Sequence, residues 1–274
     1  MTSTLRPTPT LRGDSRAPVF LLIASALTIG SLSLSAQERP LDKDVKILIE
    51  QVDDARDKFE GNLDGDLKSS TLRSPVGEVK VQAALQDYQD NVKKLKDRFT
   101  ASYSASAELT AVLKQATNID TFMKATPSIT KGRSEWDREA LALKQLAEVY
   151  GATFPLPDNA VVRRMNDGET ATTAAAVESA ADRFKSDLDK TSAIPNADRD
   201  MGKKAVELLA KNADTVKSRT NDGKPATAEF RQLQAQVATV QTFIGVHPVP
   251  TGAANWKTLQ DSMAKLEQAF VLTK

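Results

Sequence analysis

Cysteine is absent from these 274 residues, and that removes several chemistries at once. The chain has no disulfide, no thiolate metal ligand, no cysteine nucleophile and no lipid-bearing amino-terminal cysteine. Histidine is almost as scarce: the single copy, His247, lies in "GVHPVPTG", a proline-rich connector. Haem or a di-metal centre in a helical bundle needs inward His and Glu at fixed spacing, and neither C-x-x-C-H nor E-x-x-H occurs. A Ser–His pair would rest on this one residue, which reads as an exposed loop side chain. The expected catalytic, cofactor and metal residues are therefore none.

Charge of one sign is also lacking. Without residues 1–35, which hold three Arg and one Asp, 34 basic and 35 acidic residues remain, a formal charge of −1. Such a balance leaves no electrostatic footprint for nucleic acid or an anionic membrane. The densest basic stretch, "NVKKLKDR" at Asn91–Arg98, is interrupted by Asp97 and reads as a solvated helix face.

Long apolar runs are limited to one, "VFLLIASALTI" at Val19–Ile29. It follows Arg6, Arg12 and Arg16 and precedes the small-residue segment "GSLSLSAQE", the layout of a secretory signal peptide over residues 1–36. Cleavage falls after Ser35 or Ala36, placing the mature chain in the periplasm or outside the cell, off the membrane. The competing reading is a retained anchor, but eleven residues of helix reach about 16 Å against a hydrocarbon core of about 30 Å.

What the sequence has in abundance is helical periodicity. Apolar residues recur at three- and four-residue steps in eight segments. The first four carry Val45, Leu48, Ile49, Val52, Phe59 and Leu63; Val81, Leu85, Tyr88, Val92, Leu95 and Phe99; Leu109, Val112, Leu113, Ala116, Ile119 and Met123; and Trp136, Ala140, Leu143, Leu146 and Tyr150. The last four carry Val177, Ala181, Phe184 and Leu188; Met201, Ala205, Leu208 and Val216; Phe230, Leu233, Val237, Val240 and Ile244; and Trp256, Leu259, Met263, Leu266 and Phe270. Ser134 with Asp137 three residues on resembles a capping box at the start of the fourth helix. Strand signals are nearly missing.

The second four segments echo the first. "DDARDKFEGNLD" at Asp53–Asp64 returns as "ESAADRFKSDLD" at Glu178–Asp189, an offset of 125. Asn91, Lys96 and Arg98 match Asn212, Lys217 and Arg219 at 121, as Gln115, Thr121 and Phe122 match Gln236, Thr242 and Phe243. Trp136 and Leu146 match Trp256 and Leu266 at 120. The offset changes only between helices, so insertions sit in connectors. This predicts an all-α chain of two tandem antiparallel four-helix bundles from an internal duplication, residues 42–152 and 167–274. Connectors are expected near Ser69–Glu78, Thr126–Arg133, Ile194–Asp198, Asn221–Pro225 and Gly245–Gly252, which carry helix-breaking Gly, Pro and Asn.

Between the bundles, residues 153–166 form a linker in which Pro155 and Pro157 forbid helix. Phe154, Leu156, Val161, Val162 and Met165 are too apolar for a free tether and are expected to pack on one bundle or in the seam between the two, which makes them a candidate partner-binding seam. "EGNLDGDLKSST" at Glu60–Thr71 places Asn62, Asp64 and Gly65 as a calcium loop would. Its first residue is Glu60 and its twelfth Thr71, however, so it reads as helix end plus turn. Trp136 and Trp256 read as core, and the repeated charges Asp57/Asp182 and Arg98/Arg219 as interhelical struts.

Through "LDGDLKSSTLR", "LKDRFT" and "YGATFPLP" the chain resembles uncharacterised exported α-helical proteins of Gram-negative bacteria. The resemblance implies export and helicity and no site. The expectation for function is a non-enzymatic helical interaction or structural protein with a protein partner. The alternatives are a carboxylate-dependent enzyme in the seam between bundles and a membrane-anchored sensory or stalk module.

Overall fold

The computed structural model describes residues 38–74 and 77–270. The expected signal peptide, residues 1–36, lies outside the described residues. The remainder is all-helical apart from one short hairpin, in the order α1 (Asp42–Asn62), α2 (Gly65–Lys68), β1 (Thr71–Ser74), β2 (Gly77–Lys80), α3 (Val81–Arg98), α4 (Ser106–Ala125), α5 (Arg133–Val149), α6 (Asp167–Asp189), α7 (Asn196–Asn221), α8 (Thr227–Val246), a 3-10 turn (Pro250–Gly252) and α9 (Ala253–Phe270). None of the described helices is long and apolar enough to cross a membrane. All belong to one compact unit.

Two separate cores fill that unit. In the first, α1 packs against α5 and α3, α3 against α4, and α4 against α5. Val45, Ile49, Val52, Phe59, Tyr88, Leu95, Leu109, Leu113, Leu143 and Leu146 are buried inside this ring. In the second, α6 packs against α7 and α9, and α7 against α8. Phe230 of α8 stacks on Phe270 of α9 with ring centroids 4.3 Å apart, which closes the ring. Val177, Phe184, Leu188, Leu209, Leu233, Val240, Leu259 and Leu266 fill its interior. Apart from the one-turn α2, each helix buries one apolar stripe, so packing supplies what an isolated helix in water lacks.

The two cores are wired alike. Phe59 meets Trp136 at 5.0 Å and 54°, and Phe184 meets Trp256 at 5.4 Å and 48°. Both Trp residues are core, as the stripes predict. Gln115 donates to the Ala84 carbonyl at 3.1 Å, and Gln236 to the Ala205 carbonyl at 2.9 Å. Trp136 Nε1 donates to Asp120, and Trp256 Nε1 to Gln241. Of the expected struts, Arg98 pairs with Glu108 and Arg219 with Glu229 between helices, whereas Asp57 pairs with Arg56 of its own helix. A further matched pair links Lys96 to Asp53 in one core and Lys217 to Glu178 in the other.

Several local expectations need correction. The Ser69–Glu78 connector contains β1 and β2, an antiparallel pair in which Thr71 faces Lys80. Helix α5 begins at Arg133, one residue before Ser134, with Gly132 as its cap at φ 81°. Ser134 bonds the neighbouring Glu135 side chain and does not cap the helix. The capping box instead opens α6, where Asn166 Oδ1 accepts from Glu169 N at 2.6 Å and Glu169 accepts from Asn166 N at 3.2 Å. On α7 the core stripe is Val206, Leu209, Ala210, Ala213 and Val216, while Met201 and Leu208 face outward. His247 is half-buried: it ends α8, packs on Phe243 at 5.0 Å and lies 3.9 Å from Asp198.

Candidate functional site

The linker is where a partner surface was expected, and its apolar residues are largely occupied. Leu156 and Val162 are buried in the first core, Phe154 packs half-buried against it, and Met165 is buried at the junction of the two halves. Leu156 N also donates to Thr117 Oγ1 at 2.9 Å, fixing the strand of linker to α4. Val161 alone of the five points outward, 75% exposed. The groove anticipated here is filled by the chain's own packing.

The junction instead holds a charge clamp. Arg39 pairs with Asp167 and donates Nη2 to the Met165 carbonyl at 2.8 Å. Arg164 pairs with Asp42 at 2.5 Å and donates Nη2 to the Pro40 carbonyl at 2.8 Å. Asp42 N donates to Asp167 at 3.0 Å, and Asp167 N donates to Asp42 at 2.9 Å. All three pairs of contacts exchange partners at an offset of 125, as contacts across a two-fold axis do. The aspartates thus sit between two helix N-termini, where a negative charge is favoured. Burial, and then the neighbouring Arg164, lower the pKa of Arg39, with Asp167 opposing. A cavity of about 40 Å³ beside the clamp leaves space for a water or two and no more.

A second polar cluster lies inside the first core. Tyr88 of α3 donates its hydroxyl to Glu139 of α5, and both side chains are fully buried. Arg56 of α1, also buried, is held by Asp53 at 2.9 Å, Asp57 at 2.7 Å and Glu60 at 3.5 Å. Burial lifts the Glu139 carboxyl to about 8, with Tyr88 and Arg56 pulling it down and Asp53 pushing it up. Burial likewise raises Tyr88 well above the ordinary phenol value, aided by the Glu139 charge. Burial works against the charge on Arg56, yet its carboxylate partners, Asp53 foremost, raise its pKa overall. Glu139 Oε2 and Arg56 Nε are buried without a hydrogen-bond partner.

The outer side of the same two helices forms a groove of about 200 Å³, lined by Gln51, Asp54, Ala55 and Lys58 of α1 and Glu135 and Arg138 of α5. Because Phe59 near the end of α1 meets Trp136 near the start of α5, the helices are antiparallel. Lys58 therefore lies level with Glu135, Asp54 with Arg138, and Gln51 with Leu141. Among the described residues these four charges form no ion pair. One turn along the same stripes stand Ile47 and Leu141, 53% and 57% exposed.

Sequence reasoning missed the clamp and the cluster. Extending the offset of 125 toward the amino terminus would have aligned Arg39 with Arg164 and Asp42 with Asp167. The calcium-like stretch is helix end plus turn: Asp64 caps the one-turn α2, accepting from Asp66 N at 3.2 Å, and its second oxygen meets Lys131 at 3.2 Å. No family model, no curated protein and no solved structure matches the chain.

Proposed function

We propose that this is an exported, non-enzymatic helical interaction protein, built as two tandem antiparallel four-helix bundles from a duplicated unit. The first copy is the one that meets a protein partner, through the α1–α5 groove. The duplication is supported by the matched wiring: the Phe–Trp pairs, the Gln-to-carbonyl bonds and the struts recur at the offsets read from sequence. Groove binding rests on a contrast between copies. Positions equivalent to Ile47, Asp54, Glu135, Arg138 and Leu141 are Thr172, Ser179, Asn255, Thr258 and Asp261. Lys58 is matched by Arg183, so of the four charges the second copy keeps one cation. A duplicated fold needs neither the exposed large apolar side chains nor the set of opposite charges at these places, since the second copy has neither. The occupant that suits them is an amphipathic helix of a partner protein: its apolar stripe covers Ile47, Ala55 and Leu141, and flanking acidic and basic side chains pair with Lys58, Arg138, Asp54 and Glu135.

The carboxylate-enzyme alternative is less favoured. Asp42 and Asp167 of the seam are already engaged by two arginines and two backbone N–H groups. Glu139 is sealed in the core, out of a substrate's reach. A photo-crosslinking residue placed at Leu141 in the full exported chain should give a discrete protein adduct, and one at Asp261 should not. Ile47→Ser with Leu141→Asp should abolish binding of that protein with an unchanged melting temperature. Equal adducts from both positions, or none from Leu141, would defeat the groove reading.

A further inference from the structure

Arg56, Tyr88 and Glu139 occupy positions that the second half fills with Ala181, Leu209 and Leu259, all fully buried. The fold therefore closes without any polar group there. The first half carries three, and leaves Glu139 Oε2 and Arg56 Nε buried and unpaired. Unpaired buried polar atoms are rare enough in native proteins to need a reason.

Counting charge around Glu139 supplies one. From α1, Arg56 is the sole nearby cation, and it already serves Asp53, Asp57 and Glu60. Asp53 is shared with Lys96 of α3, whose ammonium lies 2.7 Å from it on the exposed side. From α3 the group facing Glu139 is the Tyr88 hydroxyl, a donor without charge. On α4, packed against both α3 and α5, the buried carboxylate is Asp120, which is engaged by Trp136 Nε1 and Lys124 and not by Glu139. An ionised Glu139 would thus add a carboxylate near a guanidinium that three others already engage and, unlike Asp57 and Glu60 at 65% and 37% exposed, it would carry its charge with no access to water. A buried charge without its own partner is among the most destabilising things a core can hold.

We propose that Glu139 is a proton-operated latch for the first half: α1, α3 and α5 close over its neutral carboxyl, and opening releases the proton to solvent. The second half, with Ala181, Leu209 and Leu259, has no such latch and stays closed over the same range. The direction follows from burial, which holds the native carboxyl near 8, whereas an unfolded glutamate titrates at about 4.3. The stability that this group contributes is whole below the unfolded value. It is lost progressively as pH rises toward the native one, and flat above. Across that interval the open-to-closed ratio of the first half rises about tenfold per pH unit. The latch needs no bound partner, so it stands or falls separately from the groove.

One tryptophan per half makes the test local. In the full chain carrying Trp256→Phe, Trp136 reports on the first half; in Trp136→Phe, Trp256 reports on the second. Urea midpoints are measured at pH 5, 6.5 and 8. The Trp136 midpoint should fall as pH rises and the Trp256 midpoint should hold. Glu139→Gln should abolish the slope, and so should the second half's own solution, Arg56→Ala with Tyr88→Leu and Glu139→Leu. A flat Trp136 midpoint, equal slopes from the two reporters, or a slope that survives in Glu139→Gln would overturn the latch. The Gln variant keeps the shape of the side chain, so the test does not depend on the triple variant folding.

Discussion

Replacing Arg164 with Ala removes one arm of the clamp between the two halves. Asp42 loses the guanidinium at 2.5 Å, and the Pro40 carbonyl loses its donor at 2.8 Å. Asp42 keeps the Asp167 N–H at 2.9 Å, with its side chain 14% exposed. Breaking a buried ion pair by removing one partner costs about 3–5 kcal/mol, and the partial exposure of Asp42 brings the expected loss to about 2–4 kcal/mol. Arg39→Ala should cost nearly the same, because Asp167, 15% exposed, is left in the mirrored position. Arg164→Ala with Asp42→Ala should cost less than the sum of the two, by a coupling of about 1–3 kcal/mol, since the stranded charge leaves with its partner. Urea unfolding of these variants, and of Arg39→Ala with Asp167→Ala and its singles, gives one cycle for each arm. High salt should change the couplings little, because buried pairs are poorly screened. A loss under about 1 kcal/mol for either arginine, or couplings that differ strongly between the arms, would refute the reasoning.

Phe59→Ala and Phe184→Ala should each cost about 3–5 kcal/mol, since each ring is buried against a tryptophan in its own core; circular dichroism melts check this, and tolerance of either would contradict the packing. Gly202→Ala should lose about 1–3 kcal/mol, because a Cβ there would lie 2.4 Å from Phe243 Cζ; adding Phe243→Leu should recover part of the loss in the same melts.

Helicity and most core stripes were legible because three- and four-residue spacing survives in nearly every segment. On α7 periodicity chose the wrong neighbour: Leu208 and Leu209 are adjacent, and Met201 with Leu208 fits a stripe as well as Val206 with Leu209. Only the position of α6 decides which is buried. The start of α5 was misplaced because Ser134 looks like a cap, whereas Gly132, against Leu63, sets the turn. The linker's apolarity correctly foretold packing, but sequence does not say whether a neighbour in the same chain or a partner covers it. The buried trio was hidden because Arg56 and Glu139 lie on separate helices in stretches rich in charge, where nothing in the sequence singles them out. The signal available for it was the alignment of the two halves, in which Ala181, Leu209 and Leu259 stand opposite three polar residues.

That the two halves are copies of one unit is tested most directly by distance. The chain has no cysteine, so spin labels attach only where cysteine is introduced. One pair, Asp54→Cys with Arg138→Cys, spans α1 and α5. The equivalent pair, Ser179→Cys with Thr258→Cys, spans α6 and α9, and all four positions are exposed. Pulsed electron paramagnetic resonance should give coincident distance distributions for the two pairs. Clearly separate distributions would contradict a duplicated unit.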